Sequence, residues 1–225
     1  MKKLFTLLLI SAAINAKAQN EIKTVEVNRF RFAVQGGFSR LLAKTSDAVP
    51  AENRNYFAEL KSGSHFGADI TYFVKPTWGL GAKFSQFSTS NSGVANVQGI
   101  PMSMSDDIAH TFIGPSFSTK YTTANTKHTF VFALALGYLG YNNDATLGGQ
   151  PVKITGGTFG SALDAAYDFN ITKNIAIGAQ LSMTGGTLGK LTYNSGGMTT
   201  TETFDKDEKE SLSRLDFSLG ARFNF

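Results

Sequence analysis

The fold is decided by the stretch Ser218-Leu219-Gly220-Ala221-Arg222-Phe223-Asn224-Phe225. Its apolar residues are Leu219, Ala221, Phe223 and Phe225, and the residues between them are small or polar. Successive side chains of a β-strand point to opposite faces of the sheet. The stretch therefore predicts a strand with one apolar face and one polar face.

The same alternation recurs along the chain. It marks eight segments, at residues 29–41, 64–74, 78–86, 109–121, 130–138, 158–169, 175–183 and 214–225. Eight is the smallest strand number of bacterial outer-membrane barrels. Pro115 lies inside the fourth segment and cannot donate a ladder hydrogen bond, so a bulge or local irregularity is expected there.

The connecting segments alternate in length. Short ones lie at residues 75–77, 122–126 and 170–174, and long ones at 42–61, 87–107, 142–157 and 184–213. Membrane barrels have short periplasmic turns and long extracellular loops. The pattern thus favours an all-β, antiparallel up-and-down transmembrane barrel.

The chain begins like an exported protein. Lys2 and Lys3 precede an apolar run at residues 4–14, and Ala16-Lys17-Ala18 is a small-x-small cleavage site, which predicts a signal peptide at residues 1–18. A short periplasmic tail at residues 19–28 and a barrel domain at 29–225 would follow. The apolar run is shorter than the ~20 residues of a spanning helix. The chain has no cysteine, which excludes disulfides and a lipoprotein anchor.

The two faces separate a membrane barrel from a soluble, lipocalin-like barrel. The polar face is rich in Gly, Ala and Ser, which suits a narrow interior better than a water-exposed exterior. The apolar face carries aromatic residues near both ends of the strands, as membrane interfaces favour. The membrane interpretation is therefore preferred.

The carboxy-terminal strand resembles the insertion signal that the barrel assembly machinery reads, carried here by Ser218, Gly220, Phe223 and Phe225. The chain as a whole is similar to the outer membrane protein β-barrel domain family. These are the small eight-stranded barrels of OmpA/OmpX type, often labelled "porin family". The resemblance implies the outer membrane of a Gram-negative bacterium, reached after export. It implies as partners outer-membrane lipid, lipopolysaccharide and an extracellular or envelope protein bound through the loops.

Nine charged residues fall on the polar face, and their signs nearly balance. They are Arg31, Asp69, Lys83, Lys120, Asp164, Asp168, Arg214, Asp216 and Arg222. An eight-stranded interior is only wide enough for side chains to fill it, and an unpaired buried charge is very costly. We therefore expect an ion-pair network in a closed lumen. A narrow porin-like channel is the alternative.

No catalytic, cofactor or metal site is predicted. His65 and His110 approach the loop side, near Asp106, but no metal-ligand spacing, Gly-x-Ser-x-Gly or HExxH pattern occurs. Removal of the three leader lysines lowers the formal net charge from +4 to +1, which gives no support for nucleic-acid binding. The expected function is structural or surface-interacting. A lipid-modifying enzyme and an accessory component of an envelope secretion system remain open alternatives.

Overall fold

The computed structural model of the protein describes residues 28–43, 49–97, 99–205 and 209–225. The predicted signal peptide and all but the last residue of the predicted tail lie outside these ranges. Within them, no helix combines the length and apolar character needed to cross a membrane.

The described chain is almost entirely β-structure. The eight long strands are β1 (Phe30–Leu41), β2 (Ser62–Lys75), β3 (Trp78–Val97), β4 (Ile100–Thr122), β5 (His128–Leu147), β6 (Gln150–Asn170), β7 (Ile175–Leu188) and β11 (Arg214–Asn224). Three short strands lie between β7 and β11, namely β8 (Lys190–Ser195), β9 (Met198–Thr203) and β10 (Glu210–Ser211). A 3-10 turn (Ala51–Asn53) and helix α1 (Arg54–Glu59) lie between β1 and β2.

The long strands form a closed ring in which every neighbouring pair is antiparallel. The order is β1-β2-β3-β4-β5-β6-β7-β11, and β11 pairs with β1 to close it. The predicted eight-stranded up-and-down barrel is confirmed. The short strands stand outside the ring: β8 pairs with β6, β9 with β8, and β10 with β7.

Three of the four long connectors contain much more strand than the alternation indicated. β3 and β4 pair without interruption to Val97 and Ile100, and β5 and β6 to Leu147 and Gln150. The connector from 184 to 213 contains the end of β7 and the three short strands. Alternation marks a strand only where one face is apolar, whereas the ladder itself is made by backbone groups.

The side chains point as the alternation predicted. On β5, Phe132 and Leu134 are 56% and 43% exposed to the outside, whereas Val131 and Ala135 are buried inside the ring. On β7 the predicted apolar face also points outward, as the exposed side chain of Ile177 shows. The apolar face is thus the outer surface of the barrel.

Of the bulge or local irregularity expected at Pro115, the structure shows a local irregularity and no bulge. β4 runs straight through Pro115, which pairs with Ala82 of β3. Pairing of β4 with β5 lapses at Gly114 and Pro115 and resumes at Ser116 in the same register. The missing N–H of proline is therefore accommodated by a gap in one ladder, without an inserted residue. An irregularity of register occurs instead in β2, between Tyr72 and Lys75.

Candidate functional site

The interior of the barrel contains three groups of buried charges. In the first group, nearest the short turns, Asp168 accepts hydrogen bonds from Arg31 Nε at 2.8 Å and Nη2 at 3.1 Å. Its Oδ1 also accepts one from Arg222 Nε at 3.1 Å. One carboxylate is thus shared by two guanidinium groups, from β1 and β11. All three side chains are buried.

The second group is centred on Lys83 of β3. Its ammonium lies 2.9 Å from Asp164 of β6 and 3.5 Å from Asp69 of β2. Gln35 completes the group by donating to Asp69 at 2.9 Å. The Lys83–Asp164 contact crosses the lumen, because β3 and β6 are not neighbours in the ring, whereas the two contacts of Asp69 join adjacent strands.

The third group lies toward the long-loop side. Arg214 Nε lies 3.2 Å from the Asp216 carboxylate, and Arg214 Nη1 donates to the His110 carbonyl at 3.1 Å. Ser85 also binds Arg214, and Ser39 binds Asp216. Both charged residues of this group are 0% exposed.

Lys120 is the ninth predicted lumen charge and behaves differently. Its ammonium donates to the Asn28 carbonyl at 3.3 Å and lies 3.8 Å from the centre of the Phe73 ring. Among the described residues it has no ion-pair partner. The structure therefore brings eight of the nine predicted charges into ion pairs and leaves Lys120 in a cation–π contact at the short-turn end.

The structure also contains a buried apolar cluster that sequence reasoning missed. The cluster comprises Phe112, Ala135, Leu139, Ala162, Leu188, Leu191 and Leu212, with Tyr141, Ile154, Tyr193 and Phe204 packed against it. Phe112 and Leu139 could have been found by continuing the alternation of inward-facing positions along β4 and β5. Leu188, Leu191 and Leu212 come from the connector that was expected to be a loop.

Little open space remains among the charges. A cavity between Arg31, Asp69 and Asp164 leaves about 10 Å³ in which the centre of a water molecule can lie. That is room for roughly one water molecule. Ion pairs and apolar side chains thus both occupy positions inside the ring.

The histidines are separated by this packing. His65 Nδ1 lies 3.0 Å from Ser218 Oγ, and His65 Nε2 lies 3.9 Å from Asp216. His110 is buried between the rings of Phe87 and Tyr141. No three His, Cys, Asp or Glu residues in the described ranges converge to hold a metal ion. His65, Asp216 and Ser218 are all buried inside the ring.

The predicted insertion signal forms the closing seam of the ring. Phe30 and Phe225 exchange two backbone hydrogen bonds, of 2.7 and 3.0 Å. Phe223 faces outward and Ser218 is fully buried. A Cβ at Gly220 would lie 2.6 Å from the Cα of Gln35 on β1, so only glycine fits this seam.

Helix α1 is fastened to the extended part of β3 and β4. The Tyr56 hydroxyl lies 2.7 Å from the Asp106 carboxylate and 3.1 Å from the Asn91 carbonyl. Burial and the hydrogen bond to Asp106 raise the pKa of Tyr56 above its usual range. Asn53 adds two hydrogen bonds to Asn96. The first connector is thus held against one edge of the extracellular sheet.

A closed antiparallel ring with an apolar outer surface and a polar interior defines the class of outer-membrane β-barrels. OprG from Pseudomonas aeruginosa is similar to the chain, with a TM-score of 0.55, 12% identity, and coverage of 88% of this chain and 97% of OprG. A major outer membrane protein from Thermus thermophilus matches with a TM-score of 0.55 and 10% identity, over 87% and 99% of the two chains. Neisserial surface protein A matches with a TM-score of 0.52 and 14% identity, over 87% and 97%.

At these identities the likeness establishes the fold, which is the one expected from the OmpA/OmpX-type resemblance. No protein-family profile matches the chain. No curated protein matches it either.

Proposed function

We propose that the protein is an integral outer-membrane barrel with a closed lumen, whose role is structural or surface-interacting. One observation carries the proposal: an outward belt of apolar side chains surrounds an interior in which eight of the nine predicted charges form ion pairs. The belt would be unfavourable in water, since soluble monomers rarely expose large continuous apolar patches. In lipid it is favourable, and the closed ring leaves no strand edge unpaired.

Location in the outer membrane is supported by the predicted signal peptide and by the fold shared with outer-membrane proteins. Partners in this setting are outer-membrane lipid, lipopolysaccharide and, during biogenesis, the barrel assembly machinery. Neither nucleic acid nor a cofactor enters the proposal, and no catalytic step does.

A surface role is supported by the lengths of the strands. β3 to β6 contain 20, 23, 20 and 21 residues, whereas a tilted strand crosses a bilayer in ~9–11. Roughly half of each strand therefore projects beyond the lipid as a rigid sheet. A sheet of this kind presents a fixed surface to an extracellular or envelope protein.

The closed lumen is tested by recording purified protein in planar bilayers. We expect no sustained conductance. Reproducible current steps whose size changes on Lys83→Ala would identify the narrow channel instead, because Lys83 lies across the lumen. Membrane fractionation, followed by heat-modifiable migration on a detergent gel, tests location and ring closure in the same sample.

A further inference from the structure

Strand β9 is an uncovered edge of the extracellular sheet. It pairs on one side with β8, which in turn pairs with β6. All six residues of β9 are exposed. Within the described ranges no strand pairs with its other side. An edge of this kind offers a row of backbone donors and acceptors to a further strand.

The turn between β8 and β9 fixes which backbone groups point outward. Gly196 and Gly197 have φ of +58° and +83°, as in a two-residue type I′ turn. The residues that flank such a turn, Ser195 and Met198, form a hydrogen-bonded pair. Alternation then directs the N–H and C=O groups of Thr200 and Glu202 toward β8. Those of Thr199, Thr201 and Thr203 point to the open side.

Side-chain distances agree with this assignment of inward-pointing and outward-pointing backbone groups on β9. Asn194 Nδ2 lies 3.2 Å from Thr199 Oγ1, and the hydroxyls of Thr192 and Thr201 lie 3.4 Å apart. Facing side chains come closest in non-hydrogen-bonded pairs. Thr199 and Thr201 therefore occupy such pairs with β8 and keep their own backbone groups for a partner on the other side.

The opposite edge of the extracellular sheet, formed by β3, is covered by the first connector, whereas β9 is not covered. There, Asn53 and Tyr56 bond to Asn96 and Asn91 on the projecting part of β3. β9 has no proline, lysine or bulge, which are the usual means of blocking an edge. Its five residues after Met198 are four threonines and one glutamate, and threonine favours the extended conformation.

We propose that β9 is a self-association site, where it pairs antiparallel with β9 of a second copy about a two-fold axis at Thr201. In this register Thr199 faces Thr203 of the second copy, and Thr201 faces its own counterpart. All three outward residues are then paired by about six hydrogen bonds. Glu202 faces Thr200, so the two carboxylates are not opposed. A register centred on Glu202 would also pair outward residues, since Thr201 would face Thr203, but it would set the two Glu202 carboxylates directly opposite each other, which is destabilising.

The contact is small. Two six-residue strands bury much less than the ~1,000 Å² typical of stable complexes. Association is therefore weak between isolated molecules and grows with the local concentration of barrels in a membrane. A weak dimer of this kind is detected better by disulfide cross-linking than by measuring the molecular mass of the protein in solution.

The absence of cysteine from the chain allows a direct test with the full-length protein in detergent micelles. Opposed residues of a hydrogen-bonded pair have Cα atoms ~5.5 Å apart, within disulfide reach. We expect mild oxidation to link the Thr201→Cys variant into dimers at least ten-fold faster than Thr200→Cys. A mixture of Thr199→Cys and Thr203→Cys should cross-link faster than either variant alone.

A proline on the open side gives the matched control. Thr199→Pro removes a donor that points away from β8, so the hairpin keeps its own ladder. Added to Thr201→Cys, it should slow cross-linking several-fold while heat-modifiable migration stays unchanged.

Two results would overturn the assignment. Equal cross-linking rates for the Thr200 and Thr201 cysteine variants would mean that no defined register forms. Capture of an unrelated cysteine-bearing extended peptide by Thr201→Cys, as fast as self-linkage, would show an edge that accepts any strand.

Discussion

Arg31 and Asp168 are joined by two hydrogen bonds, of 2.8 and 3.1 Å, although 137 residues separate them in the chain. The bonds run between β1 and β6, which are not neighbours in the ring. They therefore form only when the barrel has closed, and they report closure directly.

Replacing Asp168 by Asn should be strongly destabilising. The change keeps the shape of the side chain but leaves Arg31 and Arg222 without their shared carboxylate in a buried site. We expect a loss of about 3–5 kcal/mol, as for one partner removed from a buried pair. Urea unfolding in detergent or lipid measures it.

The matched control is Asp144→Asn. Asp144 and Lys153 lie 3.4 Å apart on neighbouring strands, and both side chains are more than half exposed. An exposed ion pair contributes ~1 kcal/mol or less to the free energy of unfolding. Equal losses for the two variants would mean that the interior is open to water and that the ion pairs do not fill it.

Leu134→Arg tests the direction of the apolar face. Leu134 is exposed on the middle of the outer surface of β5, so the charge would enter hydrocarbon. We expect a cost of about 2–4 kcal/mol in lipid. Val94→Arg provides the control, since Val94 is exposed on the projecting part of β3 and should cost less than about 1 kcal/mol. A Leu134→Arg protein as stable as wild type would place that face in water.

Gly114→Ala tests the close approach of β4 and β5. A Cβ at Gly114 would collide with the Leu136 carbonyl and lie 2.7 Å from the Cα of Gly137. Forced overpacking of this kind costs about 1–3 kcal/mol. At Gly93 the nearest atom to a new Cβ is 3.5 Å away, so Gly93→Ala should leave the unfolding midpoint unchanged. Similar midpoints for both variants would contradict the close approach of the two backbones at Gly114 and Gly137.

Phe225 contributes both a backbone and a ring to the closing seam. Its ring stacks on Phe30 with centroids 6.1 Å apart. Deleting the residue removes both exchanged hydrogen bonds, whereas Phe225→Ala removes only the phenyl side chain. If that side chain is the insertion signal, both variants should lower the amount of barrel in cell membranes. Only the deletion should then slow refolding of purified protein in micelles. Normal membrane levels of Phe225→Ala would argue against the signal.

Tyr56→Phe should loosen the first connector without affecting the barrel. The variant loses the two hydroxyl bonds, to the Asp106 carboxylate and the Asn91 carbonyl, and keeps the bond from Asn91 Nδ2 to the backbone carbonyl of residue 56. Cleavage by added protease within residues 49–60 should therefore rise several-fold while the urea midpoint stays constant. Tyr121→Phe, exposed on the barrel, is the control. The pKa of Tyr56 is raised above its usual value, so the protection should persist from pH 7 to about 10 and weaken only above that.

The sequence predicted the ring because an apolar face repeats at every second residue where a strand meets lipid. It predicted the direction of Leu134 and of Asp168 for the same reason. Above the lipid, the outward face of β3 continues as Ser88, Ser90 and Ser92, and the other face carries Thr89 and Asn91. Both faces are polar there, so the period disappears although the ladder continues. The pairing of Asp168 with Arg31 required the register of the closed ring, which no local pattern contains.

The apolar cluster around Phe112 and Leu139 gives this barrel an interior like that of a water-soluble protein. Unfolding would expose those side chains to water and raise the heat capacity. A barrel stabilised by lipid contacts and ion pairs alone lacks this contribution. Calorimetry of the intact barrel should therefore reveal a curved dependence of stability on temperature, and Leu139→Ala should flatten the curve.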